Sequence, residues 1–268
     1  MSGSKPTIAF LFTAALYAAQ PSTVDVQEII RKSVAATEAN WKEAPNYGFV
    51  ERDVESKKSA PKTVKTYQVQ MIEGSPYRKL IAVNDHPLAK AEQLSEDRSL
   101  LDTVTRRKNE SAHERARRIN AYRKERDHDH AMMREMIAAF NYRLVSETKV
   151  DGRDVYQLAA NPKPGYVPRD RDAKVLTGMK GTLWVDKETY QWVKVEAEVI
   201  RPVNFYGFLA KVGPGTRFEL EQEPVAQGLW MPKHFSTRVY AQALGFINQN
   251  STDDETYRDY RPLKNPAR

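Results

Sequence analysis

The 268-residue chain contains no cysteine. That excludes a disulfide framework, thiolate metal sites, a catalytic thiol and a lipid-modified N-terminal cysteine. No apolar run approaches the ~20 residues that a membrane-spanning helix needs. A glycine-rich phosphate loop, a Gly-x-Ser-x-Gly elbow and a His-Glu-x-x-His pair are all missing, so the familiar routes to phosphoryl transfer, acyl transfer and zinc hydrolysis are closed. Histidine is scarce, at five residues. Two of them frame His128-Asp129-His130, but on a helix residues two apart point roughly 200° from each other and cannot share an ion. No metal site, no cofactor and no catalytic residue is expected, and the chain reads as a non-enzyme.

Apolar residues make up 40% of the chain and charged residues 29%, the balance of a globular protein long enough to bury a substantial core. At the N-terminus Lys5 precedes a mostly apolar stretch over 8–19 that ends in Ala18-Ala19-Gln20, followed by Pro21. A charge, a short apolar run and a small-residue end fit a signal peptide over 1–20, and hence a periplasmic location. The net charge of +7 is unevenly placed. Between Arg106 and Arg126 lie nine basic residues against three glutamates, so nearly all of the excess sits there.

Residues 24–44 read as a helix, with Ile29, Ile30, Val34 and Trp41 at helical spacing and Pro45 ending it. Three strands follow at about 46–55, 65–73 and 77–83. One face of the second carries Tyr67, Val69 and Met71, and Phe49 sits on the first. Residues 88–139 lack glycine and are rich in Ala, Glu, Arg and Lys, which predicts two or three helices inserted between strands. Near their end Met133, Met136, Ile137 and Phe140 form the clearest i, i+3, i+4, i+7 stripe in the chain. Strands resume at about 142, with Asp151-Gly152 as a hairpin signal. Between 178 and 200 the chain gives a second hairpin. Val193, Val195, Ala197 and Val199 alternate there with Lys194, Glu196 and Glu198, and Trp184 lies on the partner strand. Further strands are expected at 216–223 (Phe218 and Leu220 alternating), 231–241 and 246–260. The expected class is α+β: one domain over 21–268, a strongly curved antiparallel sheet of about 10–11 strands forming an incomplete barrel. An N-terminal helix and a helical insert at about 88–140 cover it.

The order of these elements, together with Asp151-Gly152-Arg153-Asp154-Val155-Tyr156, Asn161-Pro162-Lys163-Pro164-Gly165-Tyr166 and Gly181-Thr182-Leu183-Trp184-Val185-Asp186, resembles the periplasmic lipoprotein-carrier superfamily, the LolA/LolB-like fold. In particular it resembles the secreted bacterial proteins called outer membrane lipoprotein-sorting proteins. The resemblance spans about 24–262 and departs from the carriers in its greater length and basic insert. It implies an apolar concave face holding acyl chains under helices, with an acyl lipid or lipoprotein as partner.

On that implication Phe49, Tyr67, Val69, Met71, Met133, Met136, Ile137, Phe140, Trp184, Phe218 and Leu220 are the candidate cavity and lid residues; the alternative is that they pack a dry core. Arg115, Arg117 and Arg118 are candidates for an anionic headgroup or protein partner, with transient membrane-surface contact, against the alternative of a solvated helix face. Phe205, Tyr206 and Phe208 form an aromatic loop suited to a partner or membrane interface. Nucleic acid is not expected, because no stacking pattern interleaves the basic stretch. A second reading keeps the fold but fills the cavity with side chains and assigns binding to an envelope protein.

Overall fold

The computed structural model describes residues 24–57, 62–205, 210–243 and 247–263; the stretch read as a signal peptide lies outside them. The first helix, α1 (Val26–Glu43), starts where the Asp25 carboxylate accepts the Gln27 amide, and passes into a 3-10 turn over Ala44–Asn46 that holds Pro45. Strands β1 (Tyr47–Lys57), β2 (Thr63–Ile72), β3 (Ser75–Val83) and β4 (His86–Pro87) follow. Then come α2 (Lys90–Lys108) and α3 (Ala112–Ala139), the two helices of the insert. Between them Ser111 and Glu114 form a reciprocal capping box that restarts the helix.

The remaining strands are β5 (Phe140–Val150), β6 (Arg153–Pro162), β7 (Met179–Asp186), β8 (Trp192–Val199), β9 (Val203–Phe205), β10 (Ala210–Val212), β11 (Arg217–Ala226), β12 (Leu229–Ala243) and β13 (Ile247–Pro262). A further 3-10 segment, Asp172–Gly178, precedes β7. All thirteen strands join one antiparallel sheet ordered β4-β3-β2-β1-β13-β12-β11-β8-β7-β6-β5, with β10 on β12 and β9 on β10. The sheet is open, with β4 and β5 at its two ends. The strands beyond the ten or eleven expected are the brief β4, β9 and β10, too short to leave a period in the sequence.

Two-residue turns with both φ values positive join β2 to β3 at Glu73-Gly74, β3 to β4 at Asn84-Asp85 and β5 to β6 at Asp151-Gly152. This is the turn whose twist matches that of the flanking strands. Gly74 has a second constraint: Ile119 Cδ1 of α3 lies 2.9 Å from where a Cβ would stand. At its other end α3 runs directly into β5. The helix thus bridges the two sides of the sheet, and its 28 residues span ~42 Å.

Candidate functional site

Antiparallel pairing keeps directly opposed residues on one face, so the register defines the surfaces. Leu183, Val195, Leu220, Phe235, Glu255 and Asp53 form one row across six strands, and Gly181, Ala197, Phe218, Thr237, Asp253 and Glu55 form the next. This is the inner face, on which α1 and α3 pack. It has two halves of different chemistry.

The half built by β5–β8 and β11 is apolar and covered. Ile29 and Ile30 of α1 bury against Leu158, Leu183, Val185 and Trp192, with Met133 and Ile137 of α3 and Leu220 alongside. A second cluster joins Ala139, Phe140, Ala160, Ala173, Leu176, Met179 and Val199, with Met132, Met136 and Phe218 against it. Helix α1 is also fastened by polar contacts: Trp192 Nε1 donates to Ser33 Oγ at 3.1 Å, and Asn40 Nδ2 donates to Gln191 Oε1 at 2.7 Å. Asn40 Oδ1 in turn accepts the Trp230 amide at 3.1 Å. Met132 and Met136 pack on the second cluster and Met133 on the first. Clefts formed by the described residues, about 310 to 550 Å³, open at the surface elsewhere.

The half built by β1, β2, β3 and β13 is amphiphilic. Phe49 lies 5.8 Å from the Tyr257 ring and 5.4 Å from the Tyr260 ring, with Val69 its partner on β2. Tyr67 and Met71 share this face and are half-buried. The Arg78 guanidinium sits 4.1 Å over the Tyr67 ring and contacts Glu51 at 2.5 Å and Asp53 at 3.5 Å. Desolvation, and then Glu255 and Asp53, hold the Glu51 carboxyl above the usual range despite Arg78. The Tyr257 hydroxyl donates to Glu255, and burial pushes its pKa and that of Tyr260 up.

Ten of the eleven expected cavity residues therefore meet the inner face or its two clusters. Trp184 does not. It lies between Leu183 and Val185, both inward, so the pleat sends it outward, where it packs against Val155, Val193 and Trp230. Val193 also departs from the alternation. A bulge pairs Val185 with Trp192 but Trp184 with Lys194, so Trp192 takes the inward place expected of Val193.

The basic insert binds the chain itself. Arg118 Nη2 pairs with Glu110 at 2.6 Å and donates to the Glu73 carbonyl at 2.9 Å, while Nη1 reaches Ser75 Oγ at 2.7 Å. Arg115 donates to the Arg107 and Lys108 carbonyls at 3.2 and 3.3 Å, covering the end of α2. Arg117 is exposed. Two of the three arginines expected to meet an anionic partner thus lock α2 and α3 to the β2–β3 turn. Phe205 pairs through its backbone with Ala210; its side chain, Tyr206 and Phe208 lie outside what is described.

Where α1 crosses α3, the Trp41 ring meets Arg126, 4.5 Å from its centroid, and the buried His130, stacked at 4.5 Å. His130 Nε2 is 2.8 Å from Glu38 Oε1, within ion-pair reach but without hydrogen-bond alignment. Reading the sequence alone misses this node, along with Glu51, Arg78, Phe235, Tyr257 and Tyr260. The aromatic spacing of Tyr257 and Tyr260 is the one signal that could have marked the last two.

No family model and no curated protein matches the chain. Solved structures that resemble it include an outer membrane lipoprotein-sorting protein domain from Vibrio parahaemolyticus, 11% identical, covering 87% of this chain and 93% of its own, with a TM-score of 0.33. A LolA superfamily protein from Nitrosomonas europaea is 12% identical, with coverages of 91% and 96% and a TM-score of 0.31. A DUF1329 family protein from Desulfovibrio piger is 12% identical, with coverages of 90% and 95% and a TM-score of 0.34. At such scores the superpositions carry no argument about function.

Proposed function

We propose that the protein is a non-enzymatic, exported, single-domain carrier-type binder that takes an acyl chain, free or on a lipoprotein, onto its inner face beneath α3. The observation that carries this reading is the unbroken row from Leu183 through Val195 and Leu220 to Phe235. It runs from the packed half to Phe235 without a change of strand pairing, and Glu255 and Asp53 continue it towards Phe49 and Tyr257, so an apolar chain entering there passes the carboxylates before it meets apolar surface up to the α3 methionines. Cargo and helix then compete for one surface, and Met132, Met133 and Met136 suit that exchange because an unbranched thioether adapts to irregular neighbours. The test is uptake of a fluorescent fatty acid by the delipidated protein. Saturable uptake that falls in Phe49→Ala supports the reading, and no uptake by the intact chain removes it.

A second reading has its own observation. Glu51, Asp53, Asp253 and Glu255 are half-buried on the same inner face. Carboxylates offer nothing to an acyl chain, but they would pair with a basic segment of an envelope protein. Native mass spectrometry separates the two: a co-purified lipid favours the carrier, and a bound polypeptide favours the scaffold.

A further inference from the structure

We propose that His128, Asp170 and Asp172 form a divalent-metal site of the zinc type that fastens α3 to the loop between β6 and β7. One ligand atom from each of the three residues lies within 4.8 Å of the others, and His128 Nε2 is 3.2 Å from Asp172 Oδ2. The helical objection to His128 and His130 sharing an ion does not apply, because the other two donors come from a separate segment. Donors ~2.0–2.2 Å from a tetrahedral zinc ion stand about 3.3–3.6 Å apart, so the His128–Asp172 pair is already close enough and any separation near 4.8 Å must shrink. All three side chains are exposed, so ordinary torsion changes can draw them in at little cost. One imidazole nitrogen with two carboxylate oxygens favours zinc over magnesium or calcium, which prefer oxygen alone. Two carboxylates and a neutral imidazole bring a charge that a divalent ion cancels, and the open side leaves room for water to complete the coordination.

The loop already touches α3 at other points. The Tyr166 hydroxyl donates to Glu135, and Ala173 and Leu176 pack with Ala139 and Phe140. A metal at His128 adds a clasp about two turns before Glu135 along the helix. If cargo entry lifts α3, which rests on the function proposed above, zinc at ten times its dissociation constant favours the lowered helix by ~11-fold. The site itself does not depend on that cargo.

The test is titration calorimetry with zinc chloride on the untagged full chain after chelator treatment. One ion per chain is expected, with affinity at least ~10-fold weaker in both His128→Ala and Asp172→Asn. His86→Ala, which removes an exposed imidazole elsewhere, should bind as the parent does. Zinc should also slow amide exchange in α3 and the 166–178 loop of the parent but not of the two variants. Absence of binding, or equal affinity in the parent and both variants, overturns the proposal. Fatty-acid uptake has no bearing on either outcome.

Discussion

Arg107 lies nine-tenths buried at the end of α2, where its guanidinium donates to the carbonyls of Ile72, Ser75 and Pro76 at 2.8–3.1 Å. Desolvation, with Arg118 and Arg106 nearby, lowers its pKa from the ordinary arginine value. The charge is retained because three carbonyl acceptors replace the water it loses. Arg107→Met should therefore cost about 1–3 kcal/mol, read as a lower urea midpoint, because it leaves those carbonyls without their donor. The sequence shows a crowd of arginines; their destination depends on where the β2–β3 turn comes to rest, which no local pattern encodes. Glu51 gives the opposite case, an acid whose folded pKa is raised. Its contribution to stability is complete below the unfolded carboxylate range and is lost as pH rises through the folded value. Glu51→Gln should then match the parent near pH 3 and melt higher at pH 7, by about 2–4 °C for each kcal/mol relieved. A lower melting temperature at pH 7 would mean that the Arg78 pair outweighs burial.

At the scale of elements, the long periodic pieces were legible. The helix over 24–44, the insert and the hairpins at Asp151-Gly152 and 178–200 all form, because apolar period and turn chemistry agree there. The pairing of β1 with β13 was not legible, since nothing in either strand names a partner so distant in the chain. Nor was the bulge at Val193, which needs the turn geometry on both sides and decides that Trp192 rather than Val193 points inward. That distinction can be measured. Trp192→Phe keeps an aromatic ring but loses the bond to Ser33, and should cost about 1–2 kcal/mol. Trp184→Ala acts on the outer face and should leave fatty-acid uptake unchanged at a temperature where the variant is folded. Reduced uptake in folded Trp184→Ala would contradict the face assignment.

For the whole molecule, the deciding quantity is the balance between helix and cargo on one apolar surface. Lifting the last turns of α3 exposes Met132, Met133, Met136 and Ile137, which are partly buried, so the ~1.5–3 kcal/mol for full burial of each sets a ceiling of roughly 6–12 kcal/mol together. An acyl chain contributes ~0.8 kcal/mol per CH₂ in their place, so octanoate gains about 6 kcal/mol and palmitate about 12. The two scales cross at or below about a dozen carbons. The protein should thus discriminate by length, taking up palmitate much more tightly than octanoate, in a displacement assay with a fluorescent fatty acid. Met136→Ala weakens the closed helix without touching the amphiphilic half, at a stability cost of ~2–3 kcal/mol, and should move the threshold down by about two to four carbons. Equal affinity for octanoate and palmitate, or a threshold unmoved in Met136→Ala, would mean that any bound acyl chain does not displace α3 and that the covered half is core alone.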